Sequence, residues 1–181
     1  MMLKKVLMIA LLVIFSKTSI LASECKVSHQ IMYGIAFNEK HPRRDTGYPY
    51  LISFNKKSNL KRIKSSMVEL GLKVLDNRTI DCLDENTCEI VTKYLLKEEI
   101  KNFDLGAYQI AYIYHKYPIR NYFNLIKNYK DACSIVQRNI NKYGYSWESI
   151  AKYHSYRKEN NSRYSLNLQK NLAFIYPELL N

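Results

Sequence analysis

The one long apolar run of this chain stands at its extreme N-terminus, and all four cysteines come after it. Residues 1–23 read MMLKKVLMIALLVIFSKTSILAS. Lys4 and Lys5 make a positive start, Val6 to Phe15 is an uninterrupted apolar stretch, and Ala22 and Ser23 are small. This is the pattern of a secretory signal peptide, too short to expect a membrane span. The expected organisation is therefore a leader over 1–23 and one domain over 24–181. Ile20 or Leu21 falls where a small residue normally precedes cleavage, so an uncleaved leader acting as an anchor is the alternative. It is also the only membrane association the sequence suggests. Export would place Cys25, Cys82, Cys88 and Cys133 in oxidising surroundings, where four cysteines imply two disulfides. Three pairings exist. The favoured one joins Cys82 to Cys88 across a short loop and Cys25 to Cys133, tying the N-terminal segment to a later helix. No CxxC or HxxxH spacing occurs and the four His are scattered, so neither a metal site nor a cofactor is expected.

A length of 181 residues suits a single core. Charged residues make up 24%, Ile, Leu and Tyr are plentiful, and only 5 Gly and 4 Pro occur, which excludes disordered, collagen-like and linker-rich chains. Lys and Arg number 28 against 16 Asp and Glu. Loss of residues 1–23 removes Lys4, Lys5 and Lys17 but no acid, so the net charge falls from +12 to +9. A basic surface fits nucleic acid, an anionic membrane or an acidic polymer. Export and the lack of a DNA-reading motif argue against nucleic acid. The cell wall is the abundant acidic polymer outside a bacterial inner membrane. A lysine-rich solvated surface accounts for the same charge.

Val27, Ile31 and Ile35 recur at helical spacing over Lys26–Lys40, predicting a buried helix that ends near Glu39. His41–Gly47 reads as a loop and Leu51–Asn55 as a short strand. Leu60, Ile63, Met67 and Leu70 form an amphipathic stripe closed by Gly71. Leu72–Leu83 predicts a hairpin turning at Asp76-Asn77. Thr87 is a candidate cap for a helix burying Ile90, Val91, Tyr94 and Leu95. Phe103–Ile110 reads as a strand or turn. Helices are expected over Arg120–Tyr129, Asp131–Tyr143 and Ser146–Tyr156, then over Ser162–Tyr176 up to Pro177. The fold class is α+β, predominantly helical, with a small antiparallel β element.

Three segments could carry chemistry. Glu39 ends a largely apolar helix at a loop, where partial desolvation favours the protonated carboxyl and suits a general acid; a solvated glutamate in a last helical turn is the plainer reading. In Asn102–Ile110 (NFDLGAYQI), Gly106 lets the backbone approach a ligand while Tyr108 and Gln109 offer a ring and hydrogen bonds. Tyr153 and His154 lie on the helix expected after Ser146. No GxSxG, no Cys with a partnered His, no phosphate-cradling glycine loop and no calcium loop is present, which disfavours nucleophilic hydrolases and nucleotide chemistry.

Taken in order, these segments resemble the lysozyme-like lytic transglycosylases related to goose lysozyme, in particular the specialised ones that accompany secretion and conjugation machines. IAFNEKH is similar to the helix-terminal "IAxxES" of that family. Pro49–Asn55 (PYLISFN) resembles its "PWTLNVN", Asn102–Ile110 its "NxDxGLMQI", and Ile150–Ser155 its "AxxYHS", with Asn160–Tyr164 continuing the pattern. The resemblance spans roughly Ile31 to Asn171. It implies a lysozyme-like fold, peptidoglycan glycan strands as substrate, a periplasmic or extracellular location, and an envelope-spanning secretion or conjugation apparatus as partner. Glu39 would protonate the oxygen between N-acetylmuramic acid and N-acetylglucosamine, then take the proton of the muramic C6 hydroxyl as a 1,6-anhydro ring closes. One carboxylate suffices because the nucleophile belongs to the substrate, which fits the lack of an obvious second acid. Tyr153 would hydrogen-bond the Glu39 carboxyl, Gln109 and the Tyr108 ring would line the sugar groove with His154 nearby, and Ser53 and Asn55 would contact acetamido or peptide groups. Three positions depart from the family: Lys40 replaces Ser and could pair with Glu39, GLMQIN becomes GAYQIA, and Ser53 replaces Asn. The alternatives are a lysozyme-type hydrolase, a wall-binding assembly factor without catalysis, and a secreted helical adaptor.

Overall fold

Ser28 starts the first helix of the described chain: its Oγ accepts a hydrogen bond from the Ile31 amide at 3.3 Å, satisfying one of the free N–H groups of the first turn. This computed structural model describes residues 25–177, so the expected leader lies outside the described residues. Helix α1, His29–Glu39, buries Ile31, Met32, Gly34, Ile35 and Ala36 and runs through the core. It crosses the last helix, α7 (Lys158–Ile175), closely because position 34 has no side chain. A Cβ there would come within 2.8 Å of Leu172 Cδ2.

Between these two helices in the chain lie β1 (Leu51–Phe54), α2 (Lys57–Glu69), β2 (Lys73–Val74), β3 (Thr79–Asp81), α3 (Glu85–Lys97), β4 (Phe103–Leu105), β5 (Ile110–Ala111), α4 (Ile119–Phe123), α5 (Leu125–Tyr143) and α6 (Trp147–Ala151). The strands form one antiparallel sheet in the order β2-β3-β1-β4-β5. Ile52 pairs with Ile80 and Leu105, all buried, while the next row brings Ser53 opposite Thr79 and Asp104. Side chains alternate across a sheet, so Ser53, Thr79 and Asp104 share the face opposite to Ile52, Ile80 and Leu105. The architecture is the expected helical α+β fold with a small antiparallel sheet.

Two disulfides, Cys25–Cys133 and Cys82–Cys88, are the pairs favoured from the sequence. They fit an oxidising compartment. Among the described residues no helix is long and apolar enough to cross a membrane.

Several boundaries differ from expectation, each for a local reason. Asp84, not Thr87, caps α3: its Oδ1 accepts from the Thr87 amide at 2.9 Å and its Oδ2 from the Thr87 hydroxyl at 2.6 Å. The predicted break near Lys130 is absent. Asn124 ends α4 and caps α5 by accepting from the Lys127 amide at 3.1 Å, after which α5 continues to Tyr143. Helix α6 stops at Ala151, and Tyr153 and His154 stand on the turn that follows. Asn161 of α7, 2% exposed, fixes that turn by donating through Nδ2 to the carbonyls of Glu148 and Ser155, both at 3.0 Å. Ile90 and Leu70, expected inside, are 57% and 59% exposed; Leu70 stands just past the last residue of α2.

Candidate active site

Glu39 is the last residue of α1, and its side chain is 14% exposed. Its Oε1 is buried and has no hydrogen-bond partner. The chain leaves the helix there in extended conformation at Lys40. Lys40 turns away from the carboxyl, with its Nζ 4.1 Å over the Phe37 ring, and the ion pair the sequence allowed between Lys40 and Glu39 does not form. The group facing the carboxyl is His154, whose Nδ1 lies 3.7 Å from Glu39 Oε1. That is an ion-pair distance rather than a hydrogen bond. The imidazole stacks on the Tyr164 ring at 4.6 Å with the planes 7° apart, which fixes its plane and points its edge at Glu39. The Glu39 carboxyl holds His154 above the usual imidazole value; burial opposes this, and the charge of Asp104 adds to it.

Tyr153 was expected to hold the carboxyl. Its hydroxyl instead donates to the Tyr108 carbonyl, which has no strand or helix partner of its own in the turn it occupies. Burial and then the charge of Glu39 push the Tyr153 hydroxyl well above its usual value, so it stays protonated beside the site. The Tyr164 hydroxyl is buried without a partner and is pushed up by burial and by the same carboxyl.

The segment 106–109 is a tight turn between β4 and β5. Gly106 has φ +79°, and a Cβ there would stand 2.0 Å from the Tyr122 carbonyl oxygen, so only glycine fits. Asn128 of α5, fully buried, accepts the Tyr108 amide at 3.0 Å, and the Gln109 amide group donates to the Gly106 carbonyl at 2.7 Å. The Tyr108 ring, expected to stack on sugar, is only 6% exposed and packs edge-on to Tyr129 at 6.0 Å. A ring of that size gains more from burial against α5 than from solvent.

On the sheet, the Ser53 hydroxyl lies 3.3 Å from that of Thr79. Asn55 donates through Nδ2 to Asn102 Oδ1 at 3.0 Å and to Asp104 Oδ1 at 3.2 Å. Asp104 is the residue sequence reasoning passed over. Burial pushes its carboxyl up to about 6; the Asn55 hydrogen bond works against this, and the charge of Glu39 adds to it. A second acid therefore stands on this face of the sheet, where the sequence offered no obvious one, and the charge of Glu39 reaches it. Its signal was in the sequence: an acid between two apolar strand residues, Phe103 and Leu105, must point to the face that Ser53 shares.

Glu39 and His154 thus meet at the end of α1, Tyr153 holds the Tyr108 carbonyl, and Asp104, held by Asn55, shares the sheet face of Ser53, with Gln109 and the buried Tyr108 on the turn after β4. Among the described residues no group of three or more His, Cys, Asp and Glu is placed to hold a metal ion. A partly desolvated carboxyl with a histidine beside it can move a proton to a bound substrate and take one back. Compared with protein-family models, curated proteins and solved structures, the chain matches none.

Proposed function

We propose that this protein cleaves the glycan strands of peptidoglycan as an exported lytic transglycosylase, with Glu39 as the group that first gives and then takes a proton. The observation that carries the reading is the Glu39 carboxyl itself, nearly buried at the end of a core helix, with Oε1 unpartnered and a histidine at 3.7 Å. A structural glutamate in that setting would be hydrogen-bonded, because an unpartnered buried acceptor costs about 1–3 kcal/mol. The ordered resemblance of four segments supplies the substrate, and the two disulfides support export.

In this mechanism the Glu39 proton passes to the glycosidic oxygen as the bond to the muramic C1 breaks. The resulting carboxylate accepts the proton of the C6 hydroxyl while that oxygen bonds to C1. His154 stabilises the negative charge that appears on Glu39 between the two steps. In this reading Asn55 and Ser53 contact acetamido groups of the strand from the sheet. Asp104 favours a second reading, a lysozyme-type hydrolase, since two carboxylates flank the scissile bond in enzymes that use water.

The test is digestion of purified sacculi by the disulfide-intact protein and by Glu39→Gln. Loss of about 10²–10⁴-fold in rate with sacculus binding retained is the expected result. Equal rates would remove Glu39 from the chemistry, and absence of cleavage by both proteins with binding kept would leave a wall-binding factor.

A further inference from the structure

Helix α2 carries its charge against its own preference. Lys56, Lys57, Lys61, Arg62 and Lys64 follow one another with no acid between them. The first turn holds no acid either, and no side chain caps the helix at Lys56. Lysines there oppose the helix dipole, and like charges four residues apart repel. Arg62 is accounted for, since its Nη2 donates to the Glu98 carbonyl at 2.8 Å. Lys57, Lys61 and Lys64 form no ion pair among the described residues.

These three lysines share one face of α2, because positions i, i+4 and i+7 line up. With Leu60 they form one side of a groove of about 570 Å³, and Val74 and Asp76 of the β2–β3 hairpin form the other. A groove of that size takes a small ligand or a short peptide. Asp76 does not neutralise the lysines. Its Oδ1 accepts the amides of Arg78 and Thr79, both at 2.7 Å, and its Oδ2 lies 3.3 Å from His41 Nε2. That last contact joins the groove to the candidate active site, for His41 is two residues past Glu39. Arg43 makes a second link by donating to the Leu75 carbonyl at 2.7 Å. On the sheet side, Lys57 follows Asn55 by two residues.

We propose that this groove binds the acidic peptide stems of peptidoglycan, so that the substrate is the peptide-bearing strand. The inference rests on the reading of the protein as a glycan-cleaving enzyme. Charge and shape choose the occupant. From Lys57 to Lys64 the helix axis runs about 10 Å, the reach of about three extended residues. Stem peptides are that short, and they carry free carboxylates for the lysines and alanine methyls for Leu60 and Val74. A phosphate polymer brings the anion without the apolar part. Each stem hangs from a muramic residue, so a strand with its scissile bond at Glu39 has a stem beside the hairpin that His41 touches.

The experiment compares two substrates: intact sacculi, and sacculi stripped of peptides by an amidase, which keep the lactyl carboxylate of each muramic residue. The enzymes are the disulfide-intact protein, the double variant Lys61→Gln/Lys64→Gln, and Lys130→Gln/Lys170→Gln as a control that removes the same charge elsewhere. All four lysines are exposed, so none of these changes disturbs the core. The ratio of kcat/KM for intact over stripped sacculi should fall about 3–10-fold in Lys61→Gln/Lys64→Gln, as expected for two exposed ion pairs. The fall should lie in KM, and it should shrink in about 0.5 M salt. The control pair should keep the wild-type ratio. An unchanged ratio in the Lys61/Lys64 variant, or an equal fall in the control, overturns the proposal. A loss of the same size on both substrates also overturns it, since the anion would then belong to the glycan. A second arm needs no cleavage. The free stem tripeptide, titrated into the wild type by NMR, should shift the backbone amides of Lys57–Lys64 and of Asp76 and Asn77, and should shift them less in Lys61→Gln/Lys64→Gln. If no protein cleaves either substrate, the glycan-cleaving reading fails while these shifts still show a peptide site. Amides that do not move overturn the groove whether or not sacculi are cut.

Discussion

At the scale of single residues, Asp104 makes the clearest thermodynamic prediction. A carboxyl raised from 3.8 to about 6 binds its proton more tightly in the folded chain than in the unfolded one. Its contribution to stability is present below about pH 4 and is lost as pH rises through 6. Asp104→Asn removes that loss. The variant should therefore be more stable than the wild type by about 1–3 kcal/mol at pH 7–8, with the gain vanishing near pH 4. Urea denaturation of both proteins at the two pH values measures this. A gain at neutral pH alongside a loss of activity would mark Asp104 as a residue kept for function at a cost in stability. Glu39 was legible from the sequence because an acid ending an apolar helix is conspicuous. The His154 contact was not, since it depends on where the turn after α6 places the imidazole, and that is fixed by Asn161 thirteen residues beyond Glu148.

At the scale of elements, the segment that leaves Glu39 is anchored to the β2–β3 hairpin by Arg43, which donates to the Leu75 carbonyl at 2.7 Å, and by one buried aspartate. Asp81, 1% exposed at the end of β3, accepts from Arg44 Nε at 2.8 Å, from Arg44 Nη2, from the Tyr48 hydroxyl at 2.9 Å and from the Leu83 amide at 2.8 Å. Burial and the Asp81 hydrogen bond push Tyr48 up to about 12, and Asp81 raises Arg44 as well, so both donors keep their protons across the working range. Asp81→Ala should cost about 3–5 kcal/mol, because it strands Arg44 and Tyr48 together; a denaturation midpoint close to that of the wild type would show that the loop is held some other way. The strands and long helices were readable from their periodicity, since Ile52, Phe54 and the α2 stripe repeat as their elements require. Three of the boundaries that moved are set by single polar side chains: Asp84, Asn124 and Asn161. Such caps compete with several similar residues nearby, and only the tertiary packing selects among them.

At the scale of the whole molecule, the Cys25–Cys133 bond joins the start of the described chain to the middle of α5 over 108 residues, whereas Cys82–Cys88 spans 6. Loop-closure entropy makes the long bond worth about 4–5 kcal/mol and the short one about 2–3 kcal/mol. The paired serine variant of Cys25 and Cys133 should accordingly lose more stability than that of Cys82 and Cys88, by chemical denaturation under identical conditions. The reverse order would mean that the short bond is needed to hold α3 against β3, beyond its entropic share. Core, sheet and disulfides together serve one arrangement, in which α1 delivers Glu39 to His154 on the turn before α7. The central claim is that this arrangement cuts glycan strands with the muramic C6 hydroxyl as nucleophile. Mass spectrometry of the fragments released from purified sacculi tests it most directly. Muropeptides ending in 1,6-anhydromuramic acid, one water lighter than lysozyme fragments and missing with Glu39→Gln, are the predicted result, and fragments with free reducing ends, or none at all, would contradict it.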